Sequence, residues 1–244
     1  MAENKDFCQE ILQVILNNKE LVVLSTNSQF STKNLQGRSC MLDAKCQLED
    51  GRIVNIEVQR ADDDDHQRRV RYNGALLTTN LTNPSTKFTE IPDVIVVFIS
   101  KFDVFKSSKT LYHIDRVIRE TGKAVDNGFE EIYVNAEIDD DSDVARLMNV
   151  FNTDTAYDDE NFPVTSAYKR RYKTTEEGVR EMCEVIERNR AEGRAEGRAI
   201  GLIEGKAELI TNMLKNQMKP EQIAKIANMT VEQIISIGKK AAVL

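Results

Sequence analysis

The 244-residue chain sets 33 Lys and Arg against 40 Asp and Glu, for a net charge of −7. That balance excludes strong attraction to nucleic acid spread over the whole surface and leaves phosphate binding to local clusters of Lys and Arg. No apolar run approaches the roughly 20 residues of a bilayer span, and the polar, acidic start does not read as a signal peptide, so a cytoplasmic protein with no membrane contact is expected.

Cys8, Cys40, Cys46 and Cys183, with only His66 and His113 to join them, show no zinc-type spacing and read as reduced thiols. The length suits one domain of about 150–180 residues followed by an appendage.

In chain order, Phe7 to Leu16 has apolar residues at Phe7, Ile11, Val14 and Ile15, which is helical spacing, with Glu10 within it. Leu21 to Leu24 reads as a short strand or loop, and Ser25 to Gln36 as a polar loop. From Arg38 to Gln59, two alternating runs flank Glu49-Asp50-Gly51, which is the pattern of a β-hairpin. Leu42, Ala44, Cys46 and Leu48 alternate on one strand and Val54, Ile56 and Val58 on the other.

A three-residue loop pairs Leu48 with Arg52 and, counting outward, Asp43 with Glu57, so all the even-numbered residues share one apolar face. A two-residue loop would pair Asp43 with Val58 and scatter apolar positions over both faces. In the first register Asp43, Glu57 and Gln59 meet on the polar face, with Lys45 beside them. Carboxylates opposed at about 5 Å repel each other, and a hard cation such as Mg²⁺ relieves that repulsion. A half-exposed polar face without any ligand fits the same spacing.

Asp62 to Asp65 reads as a solvated acidic loop. It leads to a helix from about Asp65 to Leu81 with Val70, Ala75, Leu76 and Leu77 as its buried stripe. Arg69, Tyr72 and Asn73 share one flank of it. Arg68-Arg69-Arg71 is one candidate phosphate-binding cluster and Lys169-Arg170-Arg171-Lys173 is another. Pairing of the helix arginines with Asp62 to Asp65 is the competing account.

Val94 to Ile99 is an unbroken β-branched run of the kind buried on both faces of a sheet. Leu111 to Arg119 and Glu130 to Asn135 read as two further strands, with Asp93 and Asp115 capping or terminating strands rather than serving a site. Ser142 to Asn152 is an amphipathic helix, Asp154 to Pro163 a polar break, and Thr175 to Arg190 a helix opened by Thr174-Thr175.

Gly193, Gly197, Gly201 and Gly205 recur every fourth residue. Aligned on one side of a helix they would admit a second helix, as in a homodimer; a hinge is the alternative. In the tail, Pro220 starts a helix with Ile223, Ala224 and Ile226 on its apolar face, Asn228 ends it, and Thr230 caps a second helix carrying Val231, Ile234 and Ile235. The second helix offers only Gln233 and Ser236 toward base edges, so packing or oligomerisation suits the tail better than base reading.

RSCMLDAKCQLEDGRIVNIEVQ, DHQRRVRYNGALLTTNL, FTEIPDVIVVFISKFDVF and LYHIDRVIRETGKAVDNGFEEIYVN, in that order, resemble the PD-(D/E)xK nuclease superfamily. The resemblance is closest to its nuclease family transposases, relatives of recombination-promoting nucleases, and extends from about Phe7 to the Arg171 region. It implies an α/β fold in which a restriction-endonuclease-like mixed sheet is flanked by helices (residues 1–173), with an α-helical C-terminal extension (174–244) ending in a helix-turn-helix-like tail.

The resemblance also implies a Mg²⁺-dependent DNA endonuclease, with Mn²⁺ as the alternative ion. Asp43 and Glu57 would hold the metal, Glu10 would complete its site, and Arg69 and Tyr72 would lie near the substrate. Gln59 stands where the superfamily usually has lysine, so it would orient the attacking water without supplying charge, and Lys45 is the candidate to supply that charge. The contrasting expectation is a nuclease-derived binding or assembly protein, without cleavage, that acts through its C-terminal helices. RNA as the substrate is a third.

Overall fold

The computed structural model describes residues 4–32, 40–62, 65–175, 198 and 205–241. Contacts divide the chain into two units, residues 1–171 and 172–244.

The first unit opens with helix α1 (Lys5–Ile15), capped by Asn4, whose side chain accepts the Phe7 N–H. Strands β1 (Val23–Thr32), β2 (Cys40–Leu48) and β3 (Ile53–Gln59) follow, then helix α2 (His66–Leu81) with Asp65 as its N-cap, and strand β4 (Val94–Ser100). Strands β5 (Leu111–Ile114), β6 (Arg116–Ile118), β7 (Lys123–Val125) and β8 (Phe129–Asn135) come next, with helices α3 (Asp143–Asn152) and α4 (Pro163–Thr174).

Six strands form one mixed sheet in the order β1-β2-β3-β4-β8-β5, and β6 and β7 form a separate two-stranded ribbon. Strands β3, β4 and β8 run parallel at its centre, flanked by antiparallel β2 and β5. The β3–β4 pair is parallel because α2 carries the chain back across the sheet between them.

Each face of the sheet has its own core. Even-numbered Ala44, Cys46, Leu48, Val54 and Ile56 pack with Phe7, Ile11, Leu12 and Ile15 of α1 and Val144, Leu147 and Met148 of α3. On the opposite face Ile53, Val94, Val96, Phe98 and Tyr133 pack with Val70 and Leu77 of α2. Strand β4 is thus buried on both sides, as its apolar run requires. Gly74 of α2 lies so near the Phe129 ring that a Cβ there would come within 2.2 Å of Cε2. Here glycine sets how closely the helix approaches. Cys8 and Cys46 are buried thiols, each within hydrogen-bond reach of Thr26 Oγ1.

Four readings of secondary-structure elements before residue 175 change. The polar stretch after Leu24 is strand β1 as far as Thr32, not a loop; residues 33–36 lie outside the described residues. The strand lies on the edge of the sheet and is held by its β2 ladder, with Thr26 opposite Cys46 and Asn27 opposite Lys45. The run Leu111 to Arg119 divides at Asp115 into β5 in the main sheet and β6 in the ribbon. Residues after Pro163 form α4. On α2, Ala75 is exposed, and Asn73 and Gly74 take the buried stripe with Val70, Leu76 and Leu77.

In the second unit, residues 205–215 are helical (α5), followed by α6 (Pro220–Ala227) and α7 (Val231–Lys240). Ile210, Leu214, Ile223, Ala224 and Ile234 form its core; Ile226, expected on the apolar face of α6, is instead 59% exposed. Asn228 ends α6 in a left-handed conformation, φ 50°. Thr230 and Gln233 then form a reciprocal capping box that opens α7. Gly193, Gly197 and Gly201, and the helix expected over 175–190 beyond Thr175, lie outside the described residues.

Candidate active site

The hairpin register fixes the central geometry. Ala44 pairs with Ile56, Lys45 with Asn55, Cys46 with Val54 and Gln47 with Ile53. The turn closes through Leu48 N–H to Arg52 O and Gly51 N–H to Leu48 O, with Gly51 at φ +90°. This is the three-residue connection, so Asp43 and Glu57 fall on the same face of the sheet, at the end of the β2–β3 ladder. There the backbone exchange gives way to side chains. Asp43 Oδ2 accepts the Val58 N–H at 2.8 Å, and the Asp43 N–H donates to the Glu57 carboxylate.

The β3 half of that face is closed and the β2 half is open. Helix α2 lies over the former, where Asn55 and Glu57 are buried, Glu57 with 2% of its surface exposed, whereas on β2 Asp43 and Gln47 are exposed. Asn55 Nδ2 donates to Glu57 Oε1 at 2.9 Å. Burial and the Asp43 charge push the Glu57 carboxyl up to about 7, against the hydrogen bond from Asn55 and the charge of Arg69. Asp43 is an exposed residue whose carboxylate turns onto the strand. Desolvation raises its pKa, and the Val58 N–H and Arg69 oppose the rise.

Arg69 of α2 reaches the end of β3, where its Nη1 donates to Gln59 Oε1 at 3.0 Å. Gln59 Nε2 donates in turn to Ala61 O at 3.0 Å. Tyr72, one turn further along α2, is half-buried on the flank of Arg69. Lys45 is half-buried opposite Asn55, and desolvation lowers its pKa. On the α1–α3 side of the sheet, a cavity of about 480 Å³ is lined by Phe7, Ile11, Asp43, Val58, Gln59 and Lys101 among others, reaching Asp43 of the pair but not Glu57.

Residues 1–146 match the family model of the PD-(D/E)XK nuclease family transposases. The chain belongs to that family. No curated protein and no solved structure matches it. The mixed sheet with its flanking helices is consistent with the PD-(D/E)XK nuclease fold, and membership points to nuclease or transposase-type function. No helix among the described residues is long and apolar enough to cross a membrane.

Not every residue singled out in this transposase-family chain comes to the acid pair. Both oxygens of Glu10 are taken up at the start of α4, by Val164 N–H at 3.0 Å and Thr165 N–H at 2.7 Å. Among the described residues, no third acid, histidine or cysteine clusters with Asp43 and Glu57. Arg71, two positions from Arg69 and hence on another side of the helix, lines a separate groove with Phe88 and Asp93.

The second basic cluster has structural work as well. Lys169 Nζ donates to the carbonyls of Val150, Thr153 and Ala156 at 2.7, 2.5 and 2.8 Å, and Arg170 pairs with Asp159 at 2.9 Å. Of the helix arginines, Arg68 pairs with the acidic loop through Asp65 at 3.2 Å; residues 63 and 64 of that loop lie outside the described residues. Sequence reasoning missed Asn55. Its place two residues before Glu57, on the same face of β3, was the available signal.

Proposed function

We propose that this transposase-family chain is a metal-dependent DNA endonuclease of the recombination-promoting kind, hydrolysing phosphodiester bonds at Asp43 and Glu57. The observation that carries the reading is the placing of two carboxylates side by side at the end of one ladder, one of them deeply buried. Such a pair is costly unless a proton or cation joins it.

The donor set suits a hard divalent ion. It is all oxygen, both carboxyls are raised above their ordinary values, and the buried Asn55 Oδ1 has no hydrogen-bond partner. Asp43 and Glu57 would hold Mg²⁺, or Mn²⁺ in its place. When bound, the ion supplies charge for the phosphate and lowers the pKa of a coordinated water.

The chain's own residues do the remainder. Asn55 fixes the Glu57 carboxylate through its Nδ2 hydrogen bond, and the Val58 N–H fixes that of Asp43. Arg69, whose charge acts on both acids, would steady the phosphate by charge-assisted hydrogen bonds, with Tyr72 packing beside it. Lys45 adds a second cation on the same face. A homodimer through residues 193–205 belongs to the same proposal as a means of presenting two sites to a duplex.

Plasmid nicking with Mg²⁺ or Mn²⁺, set against EDTA, tests this on wild type and Asp43→Ala. Metal-dependent cleavage that Asp43→Ala abolishes is the expected result. A folded wild-type preparation that cleaves neither DNA nor RNA under any of these metals would leave the assembly role of the C-terminal helices as the better account.

A further inference from the structure

The amide of Gln59 has a protein partner at each end. Its carbonyl oxygen takes Arg69 Nη1 at 3.0 Å and its nitrogen gives to Ala61 O at 3.0 Å. The two partners determine the orientation of the amide, because a flipped one would set its NH₂ against the guanidinium and lose both bonds. Gln59 ends the strand that carries Glu57, and Arg69 sits one turn into the helix that covers that face. The bond between them therefore spans the loop from β3 to α2 and sets where the guanidinium stands relative to the acids. An unanchored arginine keeps much of its rotamer freedom, whereas one held at a single N–H presents the rest of its planar fork in a defined direction.

We propose that Gln59 is a positioning residue that works through Arg69, holding the guanidinium beside Asp43 and Glu57 so that its other N–H donors meet a phosphodiester oxygen. Gln59 then governs how the substrate phosphate is gripped, instead of orienting the attacking water. The assignment rests on the nuclease reading for its substrate class and is tested separately from cleavage.

The test is a double-mutant cycle of Gln59→Ala and Arg69→Ala, read by fluorescence anisotropy of a short labelled duplex DNA in EDTA. Plasmid nicking in Mg²⁺ is followed in parallel, and thermal unfolding checks that each variant is folded. The expected result is about a 10-fold loss of binding for Arg69→Ala and about a 5-fold loss for Gln59→Ala, with the double variant no weaker than Arg69→Ala. In nicking, both single variants raise KM more than they lower kcat.

Losses that multiply in the double variant overturn the proposal, as does a Gln59→Ala protein that binds like wild type, because Gln59 would then act without Arg69. Wild type that binds DNA but never nicks removes the nuclease reading, and the binding cycle still decides the coupling. Wild type that does not bind the duplex at all overturns the proposal outright.

Discussion

Asn55 Nδ2 and Glu57 Oε1 lie 2.9 Å apart on the α2 side of β3, both residues out of contact with solvent. The neutral amide gives Glu57 a hydrogen bond but no charge, so burial still dominates and the carboxyl is raised from 4.5 to about 7.

A stability profile follows from that shift. Below pH 4.5 the folded and unfolded chains both carry the proton; between there and pH 7 only the folded chain keeps it. Metal-free stability is therefore highest at the acid end of this window and falls as pH rises through 7, by about 3 kcal/mol for the group taken alone. Thermal unfolding in EDTA from pH 5 to 8 should show the decline. Glu57→Gln keeps the contact with Asn55, should flatten the profile, and should be about 2 kcal/mol more stable than wild type at pH 8. A wild-type profile that rises over this interval would contradict the assignment.

Metal should reverse that slope. Saturating Mn²⁺ binds only the folded, deprotonated pair, so it should stabilise wild type by about 3 kcal/mol at a hundredfold excess over Kd, and more at pH 8 than at pH 6. Asp43→Ala should lose the effect, as calorimetry with and without the ion would show.

Glu10 acts elsewhere. Its two oxygens satisfy N–H groups in the first turn of α4, which no helical carbonyl can reach. Glu10→Ala should cost about 2 kcal/mol in urea unfolding, and Glu10→Gln about half of that. Neither should alter the stabilisation by Mn²⁺. A Glu10→Gln protein of normal stability that no longer binds Mn²⁺ would return Glu10 to the metal site.

Gly74→Ala should destabilise by about 1–3 kcal/mol, because the new methyl meets the Phe129 ring. Phe129→Leu, which removes the obstructing edge, should recover part of that loss in the double variant; equilibrium unfolding measures both.

Thr230→Ala removes one half of the capping box at the start of α7 and should weaken that helix by about 1 kcal/mol. Amide exchange at Glu232 and Gln233 should quicken roughly fivefold, with no change in the α2 amides.

The hairpin was legible because its alternation, Ala44-Cys46-Leu48 against Val54-Ile56, tolerates only one register, and Asp50-Gly51 names the turn. The central strand, α1, α2, α3 and the tail helices were equally plain from apolar spacing and caps. The burial of Asn55 and Glu57 was not legible, since polar side chains at alternate positions look like a solvated face until a helix is seen to cover them. Strand β1 carries almost no apolar signal because an edge strand is held by main-chain hydrogen bonds. The partners of Gln59 and Glu10 come from α2 and α4, elements whose placement no local pattern encodes. The family resemblance suggested Glu10 for the metal, whereas in this chain the residue serves α4.

That last contact has a bearing on where the first unit can be cut. The family match stops at residue 146, yet the opening helix leans on segments beyond it: Glu10 on Thr165, and Phe7 stacked on Tyr168 with ring centroids 4.8 Å apart. A fragment ending where the shared signature ends would unseat its own beginning. The smallest self-sufficient piece must therefore reach through α4, and the floor beneath the acids is fastened by a stretch of chain that the family signature does not describe.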